Sequence, residues 1–426
     1  MSRYYKTQVA QTSPIYSNLI IEMSNSNSLR QDVILELEFL QSLGSKIFLY
    51  PFTGRSKIKM VGYFIVYVLV LCTAVQLGLT LFSYNTKDWL EIINVAPNLG
   101  VVIMTAIKYT KMQTHKALYE DIFKHFHDDV WDIVAIDSIA HQNIVKKYKQ
   151  ITRIINRFLF YYSIPLTIVV DSFPYLVMVY ENTVHGVTDE YLYPFDGWYP
   201  FDKVKWYFVA YIWESFMTAI VVCVYCFSNM IHASCIGFIC MELKILGNCL
   251  EEIISQDDVV KITKGRNVDI IHKTVLKKLK IIIVKHDFLA KSAKLDAVLG
   301  DAMLLNYSLG AVFICLTAFT FTVVDNLYKS VRYFFMFMSL LVEIFNQCLI
   351  GQILSDHSEN LTETIYYSNW LYASPEVKKI MLMLIARTQK PFKLTANGYL
   401  TMNMNTLGSI CSTSFQLFNL LRTIYL

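Results

Sequence analysis

Charge is what this sequence has least of. Only 17% of its 426 residues are Asp, Glu, Lys or Arg, where a water-soluble domain usually carries about a quarter. Mean hydropathy is +0.39. The deficit points to a chain built for a bilayer. The net charge of +4 is too small to argue for binding to nucleic acid, so no such partner is expected. Other absences narrow the field further. There is no Gly-rich phosphate loop, no zincin motif and no nucleophile elbow. Neither enzymatic activity nor a cofactor is expected. The first sixty residues hold no short apolar core followed by a cleavage site, which leaves insertion to internal segments.

What is present is long apolar runs. Seven stretches have the length of about 20 residues that crosses about 30 Å of hydrocarbon as a helix: 60–82, 92–110, 155–180, 204–229, 302–324, 332–354 and 397–421. The runs are continuous and do not alternate, which excludes a closed barrel. The second is the weakest, interrupted by Asn94, Pro97, Asn98 and Gly100, and the seventh is unusually polar. The expected fold is an all-α membrane protein of seven transmembrane helices.

Lys and Arg collect in cytoplasmic segments. The stretches 1–59, 108–153, 230–300 and 355–396 together hold 31 of the 38 basic residues. This places the N-terminus in the cytoplasm and the C-terminus outside. G-protein-coupled receptors run the other way, and the chain lacks their Asp-Arg-Tyr and Asn-Pro-x-x-Tyr motifs. All nine cysteines fall in spans or in an inner segment, where no disulfide is expected. Cys223 and Cys226 read as small buried core residues rather than a redox pair. His125 and Asp129 share a helix face on a charged segment and read as solvated; two such groups do not make a metal site.

Several segments outside the spans are amphipathic. Residues 28–43 carry an apolar face through Leu35, Phe39 and Leu43. In 230–300 and 355–390, apolar residues recur at helical spacing among lysines, and only 255–267 reads as a loop. These stretches form a water-exposed helical anchor layer, which suits an oligomeric collar. The outer loop ENTVHGVTDEYLYPFDGWYPFDK repeats YPFD and holds five acids before its first lysine. It reads as a folded cap. Its negative charge either attracts cations to a mouth or only reflects the exclusion of Lys from outer loops.

In the seventh span Asn405, Ser409, Ser412 and Gln416 fall at i, i+4, i+7 and i+11, one face of a helix, with Leu420 and Ile424 extending it. Polar groups in hydrocarbon need partners or water. Two readings stand: glue between packed helices, or a hydrated pore wall closed by apolar side chains. Asp171, Glu214 and Glu343 sit at similar depth in their spans with no Lys or Arg expected beside them. They are expected either to stay protonated or to line a hydrated ligand pocket or cation path.

The ending QKPFKLTANGYLTMNMNTLGSICSTSFQLFNLLRT at 389–423 resembles the C-terminal signature of insect odorant receptors. So do SLGSKIFLYPF at 42–52, WYPFD at 198–202 and YYSNW at 366–370. The resemblance implies a subunit of an odorant-gated cation channel in the plasma membrane of olfactory sensory neurons, on their dendritic cilia. It implies four subunits joined through the anchor, with cations passing along the Asn405–Gln416 stripe and a hydrophobic gate at Leu420 and Ile424. It implies an odorant site in the outer half of the second to sixth helices. By depth, that site takes in Asn94, Asn98, Tyr162, Leu166, Phe173, Tyr207, Tyr211 and Phe319. The compact 230–300 segment is similar to that of ligand-tuned subunits, whose partner is the longer co-receptor. A gustatory receptor channel and a metabotropic seven-helix chemoreceptor are the alternatives. The chain thus divides into a cytoplasmic segment at 1–59, helices one to four at 60–229 and anchor helices at 230–301. Helices five and six follow at 302–354, a second anchor part at 355–396, and the pore helix at 397–426.

Overall fold

The computed structural model describes residues 14–49, 57–83, 89–134, 138–185, 191–195, 197–293, 295–323 and 327–425. The first four helices are α1 (Pro14–Lys46), α2 (Lys57–Ser83), α3 (Trp89–Thr114) and α4 (Lys116–His127). Next come α5 (Ile139–His185), α6 (Tyr207–Glu251), α7 (Gln256–Thr263) and α8 (Val268–Ser292). The chain continues through α9 (Leu295–Val323), α10 (Leu327–Tyr367) and α11 (Pro375–Thr388). A short antiparallel pair, β1 (Thr395–Ala396) and β2 (Leu400–Thr401), precedes α12 (Met404–Tyr425).

Among the described residues, α2, α5, α6, α9 and α10 are long and apolar enough to cross a membrane. The remaining two expected spans became α3 and α12. Pro97 and the amides around it dilute the first, and the polar stripe dilutes the second. At 47, 45 and 41 residues, α5, α6 and α10 run about 60–70 Å at 1.5 Å per residue. That is twice the hydrocarbon thickness, so each leaves the bilayer without breaking. α6 is apolar around most of its circumference and is therefore the central helix, packed against α5, α10 and α3. α12 lies against α9 and α10.

The largest hydrophobic core lies in the layer beyond the spans, hereafter the anchor end. Leu37 of α1, Tyr119 and Phe126 of α4, Ile239 and Leu246 of α6, Leu279 of α8, Leu361 of α10 and Met381 of α11 meet there. Close approach of backbone fixes the join to α12. An added Cβ on Gly351 of α10 would run into the carbonyl oxygen of Met402, just after β2.

Three local expectations are corrected. The stretch read as a loop at 255–267 contains α7, whose first turn is capped by Ser255 accepting from the Asp258 amide at 3.1 Å. His125 is not solvated: it is buried on α4, with Nε2 2.8 Å from Glu242 Oε2 and its ring stacked on Phe288. Asp129 stays exposed, 3.6 Å from His125 Nδ1. Cys223 is exposed and Cys226 half-buried, so they are not the buried pair expected.

Candidate ligand pocket and pore face

At the end of the bundle opposite the anchor, α2, α3, α5, α6 and α10 leave a cavity of about 150 Å³ between them. A cavity of that size in an apolar core takes a benzene-sized guest. Leu77, Val102, Leu166, Phe173, Met217 and Phe335 supply apolar wall. The hydroxyls of Thr73, Thr218 and Ser339 also line it. Each donates back to a carbonyl of its own helix, at 3.0, 2.9 and 3.1 Å. Their oxygens are left facing the cavity as acceptors only. Asn98 and Arg332 bring donor groups to the wall. Mostly apolar lining with a few placed polar groups is the chemistry of a site for a small organic molecule.

Residues 191–195 and 197–206 roof this cavity, and Glu214 of α6 holds the roof down. Its carboxylate, fully buried, accepts from the Phe195 amide at 3.0 Å, the Gly197 amide at 2.9 Å and the Tyr199 hydroxyl at 3.2 Å. The Trp198 amide donates to Thr80 of α2 at 2.8 Å, and Gln76 donates to the Trp198 carbonyl at 3.2 Å. Pro194 and Phe195 are thereby pressed into the cavity wall. A residue larger than glycine at 197 would meet the Gln76 amide, so the loop touches α2 there by backbone.

Of the residues expected in the pocket, Asn98, Leu166 and Phe173 line this cavity. Tyr162 stacks on Phe158 along α5, its hydroxyl buried without a partner. Tyr207 and Tyr211 stand on α6 beside the roof: Tyr207 donates to the Leu192 carbonyl of the roof at 3.0 Å and Tyr211 to the carbonyl of Asp171 on α5. Phe319 is buried on α9 against Phe418 of α12. Asn94 lies on α3, with its side chain outside the described ones. Sequence reasoning missed Thr73, Phe195, Met217, Arg332 and Ser339. For Arg332 the signal was present, since a cation at the very start of the sixth span needs an acceptor or a polar ligand.

Of the two alternatives for the membrane acids, lining this cavity is not met by Asp171, Glu214 or Glu343, and the absence of a neighbouring cation is corrected for Glu343. Glu343 of α10 has a cation beside it after all, Lys108 of α3, at 2.9 Å with both side chains buried. Asn229 donates to the second oxygen of Glu343 at 2.6 Å, and Gln347 adds a donor at 2.5 Å. Lys108 also donates to Asn229 at 2.7 Å and lies over the Tyr225 ring. Three helices, α3, α6 and α10, are tied at one buried point.

On α12, Asn405, Ser409, Ser412, Gln416, Leu420 and Ile424 are all exposed along one face. Thr406, Ile410 and Ser414 are buried on the other, with Ile410 packed among Ile314, Ile344 and Cys348. The polar stripe therefore does not glue α12 to the helices of its own chain.

A family model described as 7tm Odorant receptor matches residues 88–415. The chain belongs to that family. Odorant receptor 67a of Drosophila melanogaster is 28% identical over 199 residues, 45% of this chain and about half (49%) of that receptor. Candidate odorant receptor 92a of the same species is 24% identical over 355 residues, 80% of this chain and 81% of that one. The insect olfactory receptor OR5 of Machilis hrabei, solved in complex with eugenol, has a like fold. Its TM-score is 0.77 at 18% identity, covering 94% of this chain and 100% of that one. A second structure of the same receptor gives a TM-score of 0.77 at 17% identity. This odorant receptor is thus an all-α, multi-pass membrane protein with the seven-helix architecture of that structure.

Proposed function

We propose that this odorant receptor is the ligand-tuned subunit of an odorant-gated, non-selective cation channel, with its N-terminus cytoplasmic and its C-terminus outside. The observation that carries the reading is the stripe on α12. Polar side chains at Asn405, Ser409, Ser412 and Gln416 face away from their own chain, and membrane helices do not present such a row to lipid. Facing copies of α12 across an axis would surround water, with Leu420 and Ile424 as an apolar constriction that gates by dewetting. The anchor layer supports assembly. Tyr367, Leu371 and Met383 are exposed there at 81%, 65% and 60%, a patch of the kind that marks a protein interface. The partners are copies of the co-receptor, in a heterotetramer at the plasma membrane of olfactory sensory neurons, on their dendritic cilia.

The ligand is a small volatile, largely apolar and with one or two hydrogen-bonding groups, held in the roofed cavity. The structure of the Machilis receptor with eugenol is a precedent for a ligand of this class. Ligand binding shifts the channel toward an open arrangement only through higher affinity for that arrangement. The test is current recorded from excised patches, without nucleotide, from cells expressing this chain with the co-receptor. Leu420→Ala is expected to raise basal current several-fold at unchanged surface density. Unchanged current at rest and unchanged block would remove Leu420 from the gate. Currents that vanish on excision would point to a metabotropic receptor instead.

A further inference from the structure

Where α5 enters the membrane it carries a second, unrelated cavity. A polar groove of about 640 Å³ lies between α5 and α1, lined by Lys146, Lys149, Arg153 and Arg157 with Gln150 beside them. These positions repeat every three or four residues and share one face of α5. The single carboxylate in the lining is Asp32, which pairs with Lys149. Glu36, also on α1, takes Arg153 at 3.4 Å. Lys146 and Arg157 are exposed and have no ion pair among the described residues. The groove is therefore strongly and unevenly positive.

The same helix face continues into the bilayer as Ile154, Phe158, Tyr161 and Ile168, exposed at 58%, 56%, 64% and 56%. Basic residues at the mouth and bare apolar residues directly beyond them match the two ends of a phospholipid. Depth agrees. With hydrocarbon starting near residue 155, Lys146 sits about 13 Å outside it at 1.5 Å per residue, and Arg157 sits at its edge. That interval is headgroup territory, and a headgroup that carries phosphates beyond its glycerol phosphate spans it.

We propose that this groove binds the multiply phosphorylated inositol headgroup of an inner-leaflet phospholipid, its acyl chains lying along Ile154, Phe158 and Tyr161. Juxtamembrane Lys and Arg recognise such lipids by charge, and arginine forks suit phosphate oxygens. The inner leaflet rests on the orientation proposed above; the site itself does not.

The test uses the full chain purified in detergent and native mass spectrometry with phosphatidylinositol 4,5-bisphosphate, phosphatidylcholine or inositol trisphosphate. One bisphosphate lipid per chain is expected to be retained under conditions that strip phosphatidylcholine. The double variant Lys146→Gln/Arg157→Gln breaks no ion pair and is expected to weaken retention by about 30-fold, at about 1 kcal/mol, or just over fivefold, per cation. Its elution profile and melting in phosphatidylcholine should match the parent. Equal retention of both lipids, or a double variant that binds as the parent does, overturns the proposal. So does inositol trisphosphate binding as tightly as the lipid, which would mark a free-phosphate site. Detergent binding is independent of orientation. An antibody tag after Leu426 that labels only permeabilised cells would therefore overturn the orientation and leave the groove standing.

Discussion

The buried pair of Lys108 and Glu343 is a single-residue choice with a large energetic consequence. Two charges taken out of water recover their desolvation cost only when geometry is good and remaining donors are satisfied. Here Asn229 and Gln347 complete the second condition. Removing one partner leaves the other uncompensated. Glu343→Ala is expected to destabilise the folded receptor by about 3–5 kcal/mol, read as a lowered melting temperature in detergent and reduced surface expression. Lys108→Met with Glu343→Leu should recover part of that loss, because no charge is left uncompensated, while the Asn229 and Gln347 amides lose their acceptor. If the double variant is no better than Glu343→Ala, the pair does not act as a unit. None of this was legible in the sequence, where the two residues stand 235 positions apart and Lys108 reads as the first residue of a basic loop. Glu214 was misread for a similar reason. Its partners are backbone amides, and amides carry no sequence signal.

At the scale of elements, α12 separates two faces that chemistry can tell apart. In a background with the exposed Cys411 replaced by Ser, cysteines placed at Ser409, Ser412 and Gln416 should react with a water-borne thiol reagent and cut the odorant current by more than half. Cysteines at Ile410 and Ser414, buried against the neighbouring helices, should not. Modification at all five positions alike would mean that α12 stands free of the bundle, and modification at none would exclude water from the stripe. This face was legible, because a period of 3.6 in polarity survives translation into structure unchanged. Span positions were legible for the same reason: 60–82 became Lys57–Ser83. The water-exposed ends of α6 and α10 were legible in the helical spacing of 230–300 and 355–390. What escaped was the start of α5 at Ile139, hidden in the charged stretch 108–153. α7 was overlooked although Ser255 and Asp258 spell its first turn, a capping signal outweighed by the charge around it. The pocket was half legible: depth selects Asn98, Leu166 and Phe173, but depth alone does not say which way a side chain turns.

At the scale of the whole molecule, the anchor holds the largest hydrophobic core and also leaves large apolar side chains bare. Its own core is complete, so exposure of Tyr367, Leu371 and Met383 is not a folding defect. Tyr367→Asp with Leu371→Glu is expected to leave the single chain folded and to reduce its co-purification with the co-receptor at least tenfold. Subunit counting by photobleaching would check it, with the parent giving mixed tetramers and the variant giving none that contain it. Unaltered mixed tetramers would place the subunit contact elsewhere.

One helix touches every part of this arrangement. α10 begins at the cavity with Arg332, passes Glu343, packs on α12 near Ile344 and ends at Tyr367. It holds no proline, so it has no built-in kink. Taken with the Glu343 cluster as pivot, it is a stiff rod held off its middle, with its join to α12 at Gly351 about two turns further on. From Glu343 the arm to Leu327 is about 24 Å and the arm to Tyr367 about 36 Å, at 1.5 Å per residue. A tilt that shifts the ligand end by 1 Å therefore swings the subunit-contact end by about 1.5 Å the opposite way. On the proposed function the shorter arm carries the guest and the longer one meets the neighbour, so a ligand the size of a benzene ring would work at the amplifying end of a lever.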